Sequence, residues 1–329
     1  MTGMPDISRD PVAQLSPGDN RPLWSVMIPT YRCAHHLGQT LESVLSQDLG
    51  AENMQIEVID DGSDDAPDAV VRTMGRGRVG FFRQPQNVGH IANFHTCLTR
   101  ARGQIVHLLH GDDFVRPGFY TALQRGFDAH PGLGAAFCRP VFADTSGREV
   151  GLMTEEHPEV GLLPDAVTRL ATEQRIMTPS IAVRRAVYEQ VGGFDRRLAC
   201  AEDWEMWVRI AAQFPIWYDP RPLAVYRMHD DSNTGRHVSS AADAAYNRMA
   251  IDIFSSYLPP DRAKAITRQA RQTYAVSALG TARQLLSAGD TAGCLAQVRE
   301  AIRLAPSFRM LCKAAVILVA AGKHHATSH

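Results

Sequence analysis

Glu57-Val58-Ile59-Asp60-Asp61-Gly62-Ser63 and Val106-His107-Leu108-Leu109-His110-Gly111-Asp112-Asp113 stand about fifty residues apart, and each reads as a buried strand that runs out into two adjacent aspartates. Ligands of open α/β sheets bind outside the carboxyl ends of the strands, where the strand order reverses. Two strands that end in paired carboxylates therefore predict a site for something cationic or rich in hydrogen-bond donors. A hydrated divalent metal with a nucleotide meets both terms.

Working outward, strand and helix signals alternate. Leu23 to Ile28 reads as a first strand stopped by Pro29, and Leu37, Leu41, Val44 and Leu45 recur at the spacing of a helix over 36–47. Met54 to Ile59 gives a second strand, Pro67 to Met74 a short helix and Val79 to Phe82 a third strand. Asn87-Val88-Gly89 turns the chain into a helix through Ala101. Gln104 to Leu109 is almost continuously apolar, as expected of a parallel strand covered on both faces. Pro117 opens another helix, where proline is welcome, and Ala135 to Phe142 reads as a strand. The alternation predicts an α/β fold with a mostly parallel central sheet.

After Gly147 the rhythm loosens, with helices expected over 164–173 and 202–214, a strand over 180–183 and extended chain over 216–226. Beyond about Ser239 strand signals vanish, and four helices are expected over 241–257, 262–287, 291–304 and 307–321. The organisation expected is a flexible N-terminal arm over 1–20, an α/β domain over 21–238 and a C-terminal α-helical appendage over 239–329. Ala282 to Pro306 resembles one helix-turn-helix unit of a tetratricopeptide array, but stacking needs about three repeats.

Acids and bases nearly cancel, leaving a formal net charge of −1, which argues against a nucleic-acid partner because non-specific binding needs a strong positive field. Six cysteines are scattered without a C-x-x-C pair, so neither a zinc framework nor a disulfide scaffold is expected. Reduced thiols and a cytoplasmic location fit that usage. The polar stretch from Met1 to Asn20 lacks the apolar core of a signal peptide. The longest apolar run, Ala314 to Ala321, is far short of the roughly 20 residues of a spanning helix. Contact with the periphery of a membrane, and a homo-oligomer built through the C-terminal helices, both stay open.

Several residues could carry chemistry, and each also has an ordinary reading. Tyr31, after Pro29-Thr30, could stack on a nucleobase or simply cap the sheet. Asp60-Asp61-Gly62-Ser63 could accept hydrogen bonds from a base or ribose, or be a common turn. Asp112-Asp113 repel each other unless a cation or donors compensate, and magnesium or manganese held with phosphate oxygens is the usual solution; a solvated loop is the alternative. Ala201-Glu202-Asp203-Trp204-Glu205 opens a helix, where acids favour the dipole. Trp204, Trp207, Val208 and Ala211 at core spacing would hold that end still and make Asp203 a candidate general base. His229, in Tyr226-Arg227-Met228-His229-Asp230-Asp231, could complete a metal site or contact phosphate, or be merely exposed.

Taken in order, these residues resemble a family 2 glycosyltransferase over roughly residues 23–234. Ser25-Val26-Met27-Ile28-Pro29-Thr30-Tyr31 resembles that family's opening strand, Ser43-Val44-Leu45-Ser46-Gln47 its first helix and Asp60-Asp61-Gly62-Ser63 its nucleotide-binding turn. Asn87-Val88-Gly89 with Asn93 resembles the asparagines of the next helix, Gly111-Asp112-Asp113 the metal motif and Glu202-Asp203 the acceptor-side acids. His110 stands where many members carry an aspartate, which leaves open whether Asp112 or Asp113 holds the metal.

The resemblance implies a GT-A fold and inverting transfer from a nucleotide-diphosphate sugar, most simply a UDP-sugar, with Mn2+ or Mg2+. In that reading Pro29, Thr30, Tyr31, Asp60, Asp61 and Asn87 line the nucleotide, Asp112 and Asp113 hold ribose and metal, and His229 is a further ligand. Asp203 takes the proton of the acceptor hydroxyl, on a saccharide, lipid-linked or protein acceptor of a bacterial surface glycan pathway. A cytoplasmic enzyme peripheral to the inner face of the membrane fits that role.

Two other classes are weighed against this. A partner-binding scaffold that keeps a degenerate GT-A domain is disfavoured by the intact acids at Asp60, Asp113 and Asp203. A dinucleotide-dependent oxidoreductase is disfavoured because Pro29-Thr30-Tyr31, and no G-x-G-x-x-G, follows the first strand.

Overall fold

The computed structural model describes residues 8–16, 21–228 and 238–327, with side chains to Ala321. In chain order its elements are β1 (Trp24–Thr30), α1 (Ala34–Leu45), β2 (Met54–Asp60), α2 (Pro67–Met74), β3 (Gly80–Arg83), α3 (His90–Arg100) and β4 (Ile105–Leu108). There follow β5 (Phe114–Val115), α4 (Phe119–Ala129), β6 (Ala135–Ala143), β7 (Glu149–Leu152), β8 (Gly161–Leu162), α5 (Ala166–Thr172), β9 (Ile181–Arg184) and α6 (Arg185–Val191). The remainder are α7 (Glu202–Ala211), β10 (Ile216–Arg227), α8 (Ala242–Phe254), α9 (Ala263–Ser287), α10 (Thr291–Leu304) and α11 (Phe308–Thr327).

The chain forms two compact units. The first takes in the described residues up to Ala166, with Arg175–Arg197 and Gln213–Met228; the second takes in Val167–Gln174, Leu198–Ala212 and 238–327. Helix α7 therefore groups with the C-terminal helices, although it lies between strands of the first unit in sequence.

The first unit is built on one sheet of order β3-β2-β1-β4-β9-β6-β10-β5, with β7 beside β6 and β8 beside β10. From β3 to β4 every pairing is parallel. The far half is mixed, because β9 runs antiparallel to both β4 and β6 while β6 and β10 pair in parallel. Strand order reverses between β1 and β4, so the crevice at their carboxyl ends is the switch point of the sheet. Trp24, Val26 and Ile28 of β1 and Ile56 and Val58 of β2 form the core with Leu37, Leu41 and Val44 of α1 and Leu123 of α4. Each such burial stabilises by roughly 1.5–3 kcal/mol.

Two expectations need correction. Pro29 does not stop β1, which pairs through Pro29 and Thr30 to Ile59 and Asp60. Leu109 N–H donates to Met27 O and Gly111 N–H to Pro29 O, both at 3.0 Å, so the proline's missing donor falls on the β4 side, beyond the last residue of β4. Nor are residues 8–16 a loose arm: Val12 is buried, Gly193 N–H donates to Asp10 O at 2.8 Å and Arg185 Nη1 to Ala13 O at 3.2 Å.

Candidate active site

Three loops meet at the carboxyl ends of β1, β2 and β4. Asp61 N–H donates to Thr30 O at 2.9 Å and Gly111 N–H to Pro29 O at 3.0 Å, which ties the second and fourth strands' exits to the first. Glycines permit the crowding. A Cβ on Gly111 would lie 2.6 Å from Thr30 Oγ1 and 2.9 Å from Cys33 Sγ, and one on Gly62 would lie 2.9 Å from the backbone of Gln86 and Asn87. Gly62 also has a φ of +75°, where L side chains are strained.

The two aspartates after β2 are committed to this architecture. Asp60 is fully buried; it accepts Arg83 Nε at 2.6 Å and Ser63 N–H at 3.2 Å. Asp61 accepts Val88 N–H at 2.7 Å and Gly89 N–H at 3.0 Å, and so fixes the turn into α3. Burial raises the Asp61 carboxyl above its ordinary range, opposed by those two donors. The asparagines divide: Asn93 is buried and donates to Ile59 O at 2.9 Å, whereas Asn87 is exposed at the mouth of the turn. Tyr31 is half-buried, with the Arg32 guanidinium 5.2 Å from its ring centre.

The loop after β4 carries a cluster with metal-ligand chemistry. One ligand atom each of His110, Asp112 and Asp113 lies within 4.8 Å of the others. Asp113 is 1% exposed; its Oδ1 accepts Arg227 N–H at 2.8 Å, and its Oδ2 stands 3.5 Å from His110 Nδ1 with no hydrogen bond. Burial pushes the Asp113 carboxyl up to about 6, against the pull of His110 and with a push from Asp112. A buried carboxylate oxygen lacking a hydrogen bond, beside a second carboxylate and an imidazole, suits a divalent cation of the Mg2+ or Mn2+ type, and the imidazole favours Mn2+. The donor set thus fits the expected ion. Phe94 stacks on His110, with ring centres 5.3 Å apart.

Sequence reasoning missed the residues that hold this loop. Arg227, 2% exposed, donates through Nε to Asp112 O at 2.8 Å, through Nη1 to Thr145 O at 2.9 Å and through Nη2 to Gln39 Oε1 at 2.6 Å. The Thr40 hydroxyl sits 3.0 Å from Gly111 O and 2.7 Å from Asp113 O. Nothing in the sequence distinguished Arg227 from the neighbours quoted with it. His110, which departs from the family's pattern, is part of the cluster. His229 lies outside the described residues.

Asp203 stands in the second unit, in the first turn of α7. Its Oδ1 accepts Trp204 N–H at 2.7 Å and its Oδ2 accepts Gln174 Nε2 at 2.8 Å. Gln174 is fixed in turn, since its N–H donates to the Tyr274 hydroxyl at 3.0 Å. Trp204 is buried against Phe254 and Tyr274 and donates to Leu170 O at 2.6 Å. Buried Glu205 accepts Arg209 Nη2 at 2.8 Å and the Tyr257 hydroxyl at 2.9 Å. The acidic end of α7 is thus anchored one residue on either side of Trp204.

The model of the family described as Glycosyl transferase family 2 matches residues 25–192. Uncharacterized protein MT1568 of Mycobacterium tuberculosis is 30% identical over 227 residues, which span 66% of this chain and 70% of that protein. The structure of S. aureus TarS 1–349 in complex with UDP-GlcNAc matches with a TM-score of 0.67 and 16% identity, over 92% of this chain and 88% of that one. Mannosyltransferase PcManGT from Pyrobaculum calidifontis, in complex with GDP-Man and Mn2+, matches with a TM-score of 0.57 and 19% identity, over 96% of this chain and 88% of that one. At such identities these two structures speak for the fold.

Proposed function

The chain belongs to glycosyl transferase family 2 and has its GT-A fold, and from that premise we propose that it is a metal-dependent inverting enzyme that moves a sugar from a nucleotide-diphosphate sugar to an acceptor hydroxyl. The observation that carries the reading is the His110, Asp112 and Asp113 cluster at the switch point of the sheet. His110, Asp112 and Asp113 would hold Mn2+ or Mg2+, with His229 as a further candidate. When bound, the cation neutralises charge on the departing diphosphate. Tyr31 supplies an aromatic face for the base, and the Asp61-pinned turn carries Asn87 to the same rim. UDP is the nucleotide favoured by the TarS likeness.

Asp203 is proposed as the general base. A carboxylate is a weak base, so positioning must supply much of the rate. Trp204 N–H and Gln174 give it that fixed orientation. One direct displacement at the anomeric carbon inverts the stereochemistry and needs no protein nucleophile. By analogy with the family alone, the acceptor is assigned to bacterial surface glycan or glycoconjugate biosynthesis.

The test is turnover of a panel of nucleotide sugars with Mn2+ by the wild type, Asp113→Ala and Asp203→Ala. The reading expects metal-dependent turnover that both variants lose by at least about a hundredfold. Wild-type activity no greater than either variant's would overturn it.

A further inference from the structure

Helix α11 is apolar nearly all the way round. Met310, Ala314, Ile317 and Ala321 are buried, and the helix packs on α9 and α10. The opposite side should then be polar, as on any helix that faces water. Instead it presents Phe308, 82% exposed, Val316, 67%, and Val319, 62%, with exposed Leu311 and Leu318 beside them. At about 100° per residue these side chains and Cys312 fill one continuous arc, and Arg309 and Lys313 stand along one margin of it. From Ala301 to His329 the sequence holds Arg303, Arg309, Lys313 and Lys323 and not one Asp or Glu.

We propose that the outward face of α11 is a membrane-docking surface that lies in the interface of an anionic lipid bilayer, its apolar arc at the acyl boundary and Arg309 and Lys313 among the head groups. No helix among the described residues is long and apolar enough to cross a membrane, so the contact is one of lying on the surface rather than spanning it. Charge selects lipid over a second copy of this chain. A second α11 would bring the same cations and no acid to answer them, whereas each cation near an anionic surface adds to binding. The inference is independent of the sugar-transfer reading.

The face can be read directly, because Cys312 is exposed within the arc while Cys33, Cys97, Cys138, Cys200 and Cys294 are buried. A polarity-sensitive maleimide dye on Cys312 of the full chain reports its surroundings. With vesicles of equal parts phosphatidylglycerol and phosphatidylcholine, the dye emission should shift to the blue and the protein should sediment with the lipid. Pure phosphatidylcholine vesicles should hold it more weakly. Phe308→Ser with Val319→Ser, and separately Arg309→Glu with Lys313→Glu, should each weaken binding about tenfold or more. Both pairs alter exposed or margin positions, and circular dichroism checks that the fold survives. Absence of binding to the mixed vesicles, or binding that neither pair weakens, would overturn the proposal. So would equal binding to neutral vesicles, or a lipid-free dimer that the Phe308→Ser and Val319→Ser pair dissociates.

Discussion

Arg227 and Asp113, 114 positions apart, are joined by a 2.8 Å hydrogen bond from the main-chain N–H of the arginine to Oδ1 of the aspartate. The same arginine closes over the loop through its side chain, on Asp112 O, Thr145 O and Gln39 Oε1. The end of β10 therefore clamps the candidate metal loop against α1 and the β6–β7 turn.

Arg227→Met keeps the main-chain bond and deserts four acceptors, Asp112 O, Asp144 O, Thr145 O and Gln39 Oε1. It should lower unfolding stability by roughly 2–4 kcal/mol and weaken Mn2+ binding by about ten- to a hundredfold, the range for groups that orient metal ligands. Urea denaturation and calorimetric Mn2+ titration measure the two effects. Unchanged Mn2+ affinity in a folded variant would show that the clamp does not set the site.

Gly111→Ala introduces a methyl group 2.6 Å from Thr30 Oγ1. Neither neighbour is the free end of a flexible side chain, so the loop must shift, at a cost of about 1–3 kcal/mol. Thermal unfolding of the variant checks this, and a melting temperature equal to the wild type's would contradict it.

Much of this arrangement was legible in the sequence, and the missing parts have physical reasons. Strands β1 and β4 announce themselves because parallel strands covered on both faces need mostly apolar runs, and β2 does so through Met54, Ile56 and Val58 at alternate positions. The acid pairs mark where β2 and β4 end. Strands β5, β7 and β8 are two to four residues long, too short for periodicity to register. The antiparallel course of β9 depends on which neighbour it pairs with, which no local pattern encodes. Arg227 and Gln39 are joined across 188 positions, and a hydrogen bond of that reach leaves no trace in spacing. The aspartates after β2 looked like ligand groups, yet their main partners are Arg83, Ser63 and the turn before α3. Carboxylates that organise a site and carboxylates that touch a ligand look alike in sequence.

Stability should fall in mild acid through His107. This buried ring donates from Nε2 to Pro179 O at 3.0 Å and, in its neutral form, accepts the Tyr120 hydroxyl at Nδ1, 3.3 Å away. Burial pushes its pKa down from 6.5 to about 4. A depressed folded-state value means that the unfolded chain takes the proton first, so the stabilisation is complete above pH 6.5 and is lost as pH falls to about 4. The loss is about 3 kcal/mol. Denaturant midpoints measured across that window should decline, with a smaller slope in His107→Gln; identical slopes would contradict the assignment.

Gln174→Glu should act on Asp203 through charge. If Asp203 is the base proposed above, a second carboxylate in place of the amide that donates to its Oδ2 disfavours its ionised form. The acid limb of the kcat/KM profile should move to higher pH in Gln174→Glu, while Asp203→Asn should cost about 10²–10⁴ in kcat. An acid limb that stays in place would remove Gln174 from the role of positioning residue.

The central claim is that the acidic loop after β4 grips a nucleotide diphosphate through a divalent cation. Calorimetric titration of UDP and GDP into the wild type and Asp113→Ala, with Mn2+ and with chelator, tests it most directly. The account predicts that one diphosphate binds the wild type with Mn2+ and that chelator or Asp113→Ala each weakens it at least about tenfold. Equal affinity in all these conditions, or no binding of either diphosphate, would contradict it.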